Sequence, residues 1–82
     1  MVIWKYRLKV TGTQGVMMPD EATPLCVQVQ NGEPTLWALV DPKNPNVCKG
    51  IRMSGTGETR VPSDWQYIGT VQIDGYVWHY FW

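Results

Sequence analysis

Few residues in this chain are equipped for bond-making chemistry. There is one imidazole, His79, and two thiols, Cys26 and Cys48. Serine-type hydrolysis needs a base beside a nucleophile, and no G-x-S-x-G elbow is present. Cys26 or Cys48 can be drawn as a dyad with His79, but their spacing carries no signal. Asp41, Glu58 and Asp64 fall in different loops, without the spacing of metal ligands. Two thiols and one imidazole also lack zinc-site spacing, so the cysteines read as two free, buried thiols. The expectation is a protein with no catalytic residues, no metal and no cofactor.

The resources for binding are richer. Five Trp and four Tyr accompany a single Phe. Trp and Tyr carry a polar handle and favour half-buried positions, interfaces and stacking sites. Trp37, Trp65 and Trp78 are candidates to stack on a nucleobase. Gly55-Thr56-Gly57 is a candidate phosphate cradle: glycines let backbone N–H groups approach an anion, and Thr56 adds a hydroxyl. Arg52 and Arg60 flank that loop. Residues 43 to 60 hold four basic side chains and one acidic one, a local positive excess. Gln28 and His79 complete the candidate ligand set as readers of polar edges. Plainer readings compete at each position. The glycine loop serves equally as a solvated turn, the surplus aromatics as core or oligomer interface, and Lys5-Arg7-Lys9 as a protected sheet edge.

Strands must position these groups. Gly and Pro punctuate the chain densely, and between them apolar residues alternate with period two. Val2 to Val10 reads as a half-buried strand, with Val2, Trp4, Tyr6, Leu8 and Val10 on one face. Val16 to Met18 reads as a short strand, and Val47 to Met53 as another. Asn31-Gly32 and Asp74-Gly75 are type I′ hairpin signatures. The first pairs Gln30 with Glu33 and gathers Leu25, Val27, Val29, Leu36, Ala38 and Val40 on an apolar core face. The second pairs Ile73 with Tyr76. It gathers Tyr67, Val71, Ile73, Tyr76, Trp78, Tyr80 and Trp82 on one face, opposite Ile68, Thr70, Gln72, Val77, His79 and Phe81. Pro62 to Trp65 is compatible with a single helical turn. Residues 1–82 therefore form one all-β domain, with little or no helix. The architecture expected is an antiparallel sheet or barrel-like sandwich of about six strands.

Composition narrows the function classes. A chain of 82 residues buries a small core, roughly 60% of its unfolded surface. Formal charges cancel, seven basic against seven acidic, so duplex nucleic acid is not an expected partner. No apolar run approaches the ~18 residues of a membrane helix, and no leader pattern is visible at the start. A cytoplasmic location is expected.

Five runs occur in order: Val27-Gln28-Val29-Gln30-Asn31-Gly32, Leu36-Trp37-Ala38-Leu39-Val40-Asp41-Pro42, Gly55-Thr56-Gly57, Tyr67-Ile68-Gly69-Thr70-Val71-Gln72 and Val77-Trp78-His79. With them the chain resembles a family of small bacteriophage and prophage proteins over nearly its whole length. That family's pattern has a His after Gly-Thr-Gly and a Glu near the end, where this chain has Glu58 and Trp82. The resemblance implies a viral origin and a location in the host cytoplasm. Small non-catalytic phage proteins often block host immunity, and one mode is a homo-oligomeric sponge. The function expected is thus an anti-defence protein that binds a nucleotide immune signal, cyclic oligonucleotide or cyclic ADP-ribose type, without cleaving it. The alternative is a protein–protein module, either an inhibitor of a host protein or a minor virion component.

Overall fold

Two dipeptides that accept positive φ set the two long hairpins. Asn31 and Gly32 have φ of 52° and 78°, and Asp74 and Gly75 have 51° and 82°. These are the signs a type I′ turn needs at both central positions. The first turn joins β3 (Thr23–Gln30) to β4 (Glu33–Val40), with Gln30 opposite Glu33. The second joins β6 (Tyr67–Ile73) to β7 (Tyr76–Phe81), with Ile73 opposite Tyr76. Three further strands complete the fold: β1 (Val2–Arg7), β2 (Thr13–Pro19) and β5 (Asn46–Gly55). The computed structural model describes residues 1–61 and 63–82. Among them there are seven strands and no helix.

The strands form two antiparallel sheets, β1-β4-β3 and β2-β5-β7-β6. They pack into a sandwich and do not close into a barrel. Val27 and Leu36 from the first sheet meet Met18, Ile51, Met53, Ile68, Val71 and Tyr80 from the second, with Leu8 beside them. The edge strands β3 and β6 lie against each other. A Cβ on Gly69 of β6 would lie 2.7 Å from the Val27 backbone nitrogen of β3. Only a residue without a side chain allows that approach.

Both hairpins depart from ideal register by one bulge, and each bulge moves side chains between faces. In β3 the register shifts between Pro24 and Cys26. Leu25 is left 50% exposed, and Val29 near the hairpin tip is 43% exposed. The apolar core face expected of this hairpin is therefore reduced to Val27, Leu36, Ala38 and Val40. In β6 the shift lies between Tyr67 and Gly69. Ile68 turns into the core, and Tyr67 turns out to meet Phe81 edge-on at 5.9 Å. The sequence pattern had placed Tyr67 with Tyr80 and Ile68 with Phe81.

Other expectations are corrected at the chain's edges. β1 ends at Arg7, and Leu8 continues the pairing through its N–H to the Pro34 carbonyl at 2.8 Å. Leu8 is core, but Val2, Trp4 and Val10 remain exposed. The segment read as Val16 to Met18 extends to Thr13–Pro19 through pairing with β5. Of the helical turn expected at Pro62 to Trp65, Pro62 lies outside the described residues, and residues 63–65 form a non-helical turn and bend. Both thiols are free, but Cys26 is half-buried and Cys48 exposed, against the expectation of burial. The Lys5 ammonium donates to Gln30 Oε1 at 2.8 Å, and Arg7 pairs with Glu33 at 2.6 Å. Both lie on the open edge of the first sheet or its outer face. Among the described residues, no helix is long and apolar enough to cross a membrane.

Candidate functional site

The end of β5 carries the glycine loop beside the end of β7. Gly55 pairs with Trp78 in the β5–β7 ladder. Glu58 N–H donates to the Gly55 carbonyl at 3.2 Å, closing a four-residue turn, and Thr56 N–H donates to the Val77 carbonyl at 3.2 Å. Gly57 has φ 94°, the positive value such a turn requires at its third residue. A Cβ on Gly55 would sit 3.0 Å from Trp78 Cζ3 and 3.5 Å from Glu58 Oε1. The absent side chain thus lets the indole and the carboxylate approach the same stretch of backbone.

A second wall faces this turn. Lys9 N–H donates to Gln14 Oε1 at 3.0 Å, and Gln14 Nε2 donates back to the Lys9 carbonyl at 2.9 Å. The Tyr80 hydroxyl reaches the same carbonyl at 3.0 Å. Burial pushes the Tyr80 pKa up to about 12, so the phenol stays protonated and donates. Met53 N–H holds the Gly12 carbonyl at 3.0 Å. These bonds pin the loop from Val10 to Thr13. Between that loop and Trp78 lies a solvent-open cleft of about 570 Å³, which Arg52, Met53 and Glu58 also line. Trp78 stacks on Tyr76 with centroids 5.6 Å apart and planes 21° from parallel.

The opposite side of β7 carries a hydrogen-bonded chain. His79 Nε2 and Thr56 Oγ1 are 2.8 Å apart. His79 Nδ1 and Thr70 Oγ1 are 2.9 Å apart, and Thr70 Oγ1 and the Tyr67 hydroxyl 2.7 Å. A neutral imidazole donates from one nitrogen and accepts at the other, and rotating hydroxyls satisfy either tautomer. The chain fixes Thr56 and so braces the turn from behind. Ser54, opposite His79 in the ladder, is 2% exposed, and its Oγ has no partner among the described residues.

The ten candidate residues fall into separate places. Gly55, Thr56, Gly57 and Trp78 come together at the turn, with Arg52 on the cleft wall. Arg60 lies just beyond, on the exposed stretch with Gly57 and Thr59. Thr56 and His79 are bonded to each other, so neither stands as an independent reader of a ligand. Trp65 lies elsewhere on the second sheet, 3.6 Å from where a Gly50 Cβ would be. There it shares a shallow groove of about 430 Å³ with Lys49, Asp64 and Trp82, and the Lys49 ammonium sits 4.8 Å from the Trp82 ring centroid. Gln28 and Trp37 are on the outward side of the first sheet, beside Thr35 and Cys26, across the sandwich from the cleft.

Three contributors escaped the sequence reading. Glu58 was visible as an acid next to the glycine loop and as one of three scattered carboxylates, not as a neighbour of Trp78. The loop around Gly12 carries no motif that marks it in the sequence. Tyr67 joined the His79 chain only because of the bulge at Ile68. Among the described residues, no three His, Cys, Asp or Glu side chains are grouped to hold a metal ion.

No curated protein and no solved structure is detectably similar to the chain. One family model matches residues 1–82, the full length of the chain. The chain therefore belongs to the family described as Domain of unknown function (DUF7352).

Proposed function

We propose that this protein is a non-catalytic nucleotide-binding module, and that the cleft between Trp78 and the Val10–Thr13 loop takes the nucleotide. The observation that carries this reading is the meeting of the Trp78 indole, Arg52 and Glu58, the residue that closes the glycine turn, at one cleft of about 570 Å³. That volume lies within the range of small-molecule sites. Trp78 stacks the base, Arg52 and Arg60 draw the phosphates, and His79 acts through Thr56 to hold the turn. The viral resemblance adds the setting: a phage anti-defence protein that sequesters a nucleotide signal in the host cytoplasm and releases it unchanged.

Calorimetric titration tests this with a panel of AMP, GMP, cyclic di-AMP, cyclic di-GMP and cyclic ADP-ribose. At least one binds, and Trp78→Ala weakens it by about 10- to 100-fold, the worth of one base stack. The bound compound is recovered intact after heat denaturation. Silence across the panel at high micromolar protein, or recovery of a cleaved product, contradicts the proposal.

One observation favours a second reading, a protein–protein module or homo-oligomer. The edge strand β1 begins with Val2, Ile3 and Trp4, which with Met1 before them are all exposed, Ile3 by 57%. Strand addition at that edge would cover them. Sedimentation equilibrium of the wild type against Ile3→Lys checks it: the wild type self-associates and the variant does not.

A further inference from the structure

We infer that Glu58 makes this cleft selective for guanine; the inference rests on the nucleotide reading above. Glu58 Oε1 and Trp78 Cζ3 both lie within 3.5 Å of one point, the missing Cβ of Gly55. Tyr76 covers one face of the indole, so a base stacked on the other face lies next to the carboxylate and can turn its edge to it. Glu58 is exposed, and the ion pair found among the described residues is Arg7 with Glu33 on the other sheet. Its carboxylate is free to receive a ligand.

An ionised carboxylate only accepts hydrogen bonds. It repels a phosphate, so the phosphates must point away from Glu58, toward Arg52 on the cleft wall. What it can take is a pair of adjacent donors, one for each oxygen. Guanine offers such a pair on its pairing edge, the ring N1–H beside the exocyclic 2-amino group. Adenine and cytosine each set one amino donor beside a ring nitrogen acceptor. Uracil sets its ring N–H between two carbonyl acceptors. Of the four common bases, guanine alone fits both oxygens of Glu58.

The test compares GMP, inosine monophosphate and AMP by calorimetry on the wild type and on Glu58→Gln. Inosine keeps the ring N1–H and lacks the 2-amino group. The wild type binds GMP at least about ten-fold more tightly than either competitor, as expected for a hydrogen bond to a charged acceptor. Glu58→Gln weakens GMP and reduces that preference to less than about three-fold, while AMP, relieved of the repelling charge, binds no more weakly than before. Equal binding of the three nucleotides to the wild type overturns the selectivity and leaves the nucleotide reading standing. So does an undiminished guanine preference in Glu58→Gln. If none of the three binds, the nucleotide reading falls and the selectivity with it. Glu58 is an exposed turn residue, so the variant is expected to fold, which a thermal melt verifies.

Discussion

Gly69→Ala tests whether the two sheets meet as described. An added Cβ would lie 2.7 Å from Val27 N, 2.8 Å from Val27 Cβ and 2.9 Å from Val27 O. Two of these atoms are backbone, so no rotamer change relieves the contact. Restoring separations near 3.5 Å requires β3 and β6 to part by roughly 1 Å, a gap that forfeits a quarter to a half of each neighbouring contact. The losers are Val27, Ile68 and Val71, all less than 7% exposed. Overpacking of this kind costs about 1–3 kcal/mol, and backbone involvement sets it near the top. Gly69 does not have a positive φ, so the replacement recovers up to about 1 kcal/mol of chain entropy. The net loss is about 2–3 kcal/mol, which lowers Tm by roughly 10–20 °C in a domain this small. Thermal melting followed by near-ultraviolet circular dichroism reads it. Gly12→Ala is the control, since nothing lies within 4 Å of its would-be Cβ. A Tm loss below about 4 °C for Gly69→Ala, or an equal loss for Gly12→Ala, refutes the close approach.

Three further outcomes follow from the same geometry. Leu36 is fully buried, and Leu36→Ala is expected to cost about 2–5 kcal/mol in urea titration, a large part of the roughly 4–12 kcal/mol available to a chain of this length. Burial holds the folded Tyr80 pKa at about 12 against an ordinary value of 10.0. Its contribution is therefore intact below the unfolded pKa and is lost as pH rises through the folded one. Wild-type stability should fall toward about 1.4 kcal/mol per pH unit in that window. Tyr80→Phe, about 1 kcal/mol less stable at neutral pH, should lack this component of the alkaline decline. Gly55→Ala places a methyl 3.0 Å from Trp78 Cζ3. It should weaken nucleotide binding by about ten-fold while moving stability by less than about 1 kcal/mol, because the indole can shift outward into the cleft.

How far the sequence could be read depended on how local each determinant is. Asn31-Gly32 and Asp74-Gly75 impose positive φ through their own backbones, so both hairpins and the registers beside the turns were legible. The bulges at Leu25 and Ile68 answer to packing across the sandwich. No alternation pattern marks them, yet they decide which way Tyr67 and Ile68 point. The same limit applied to the site. The glycine turn with Thr56 was legible as a unit. Its union with Trp78 depends on β5 pairing with β7, and the separation of Trp37 and Gln28 depends on which sheet each hairpin joins. Glu58 lies next to the glycine loop in sequence, but its relation to Trp78 is purely tertiary.

The central claim is that one cleft, beside Trp78, takes a nucleotide. Five Trp residues give five indole N–H signals in an ¹⁵N-labelled sample, and each can be assigned by single Trp→Phe replacement. On titration with GMP and with cyclic di-GMP, the Trp78 signal and the backbone signals of Gly55 and Gly57 are predicted to shift and saturate together. The Trp37 signal, from the far side of the sandwich, should stay in place. A spectrum unmoved by either nucleotide, or one in which Trp37 moves and Trp78 does not, contradicts the account.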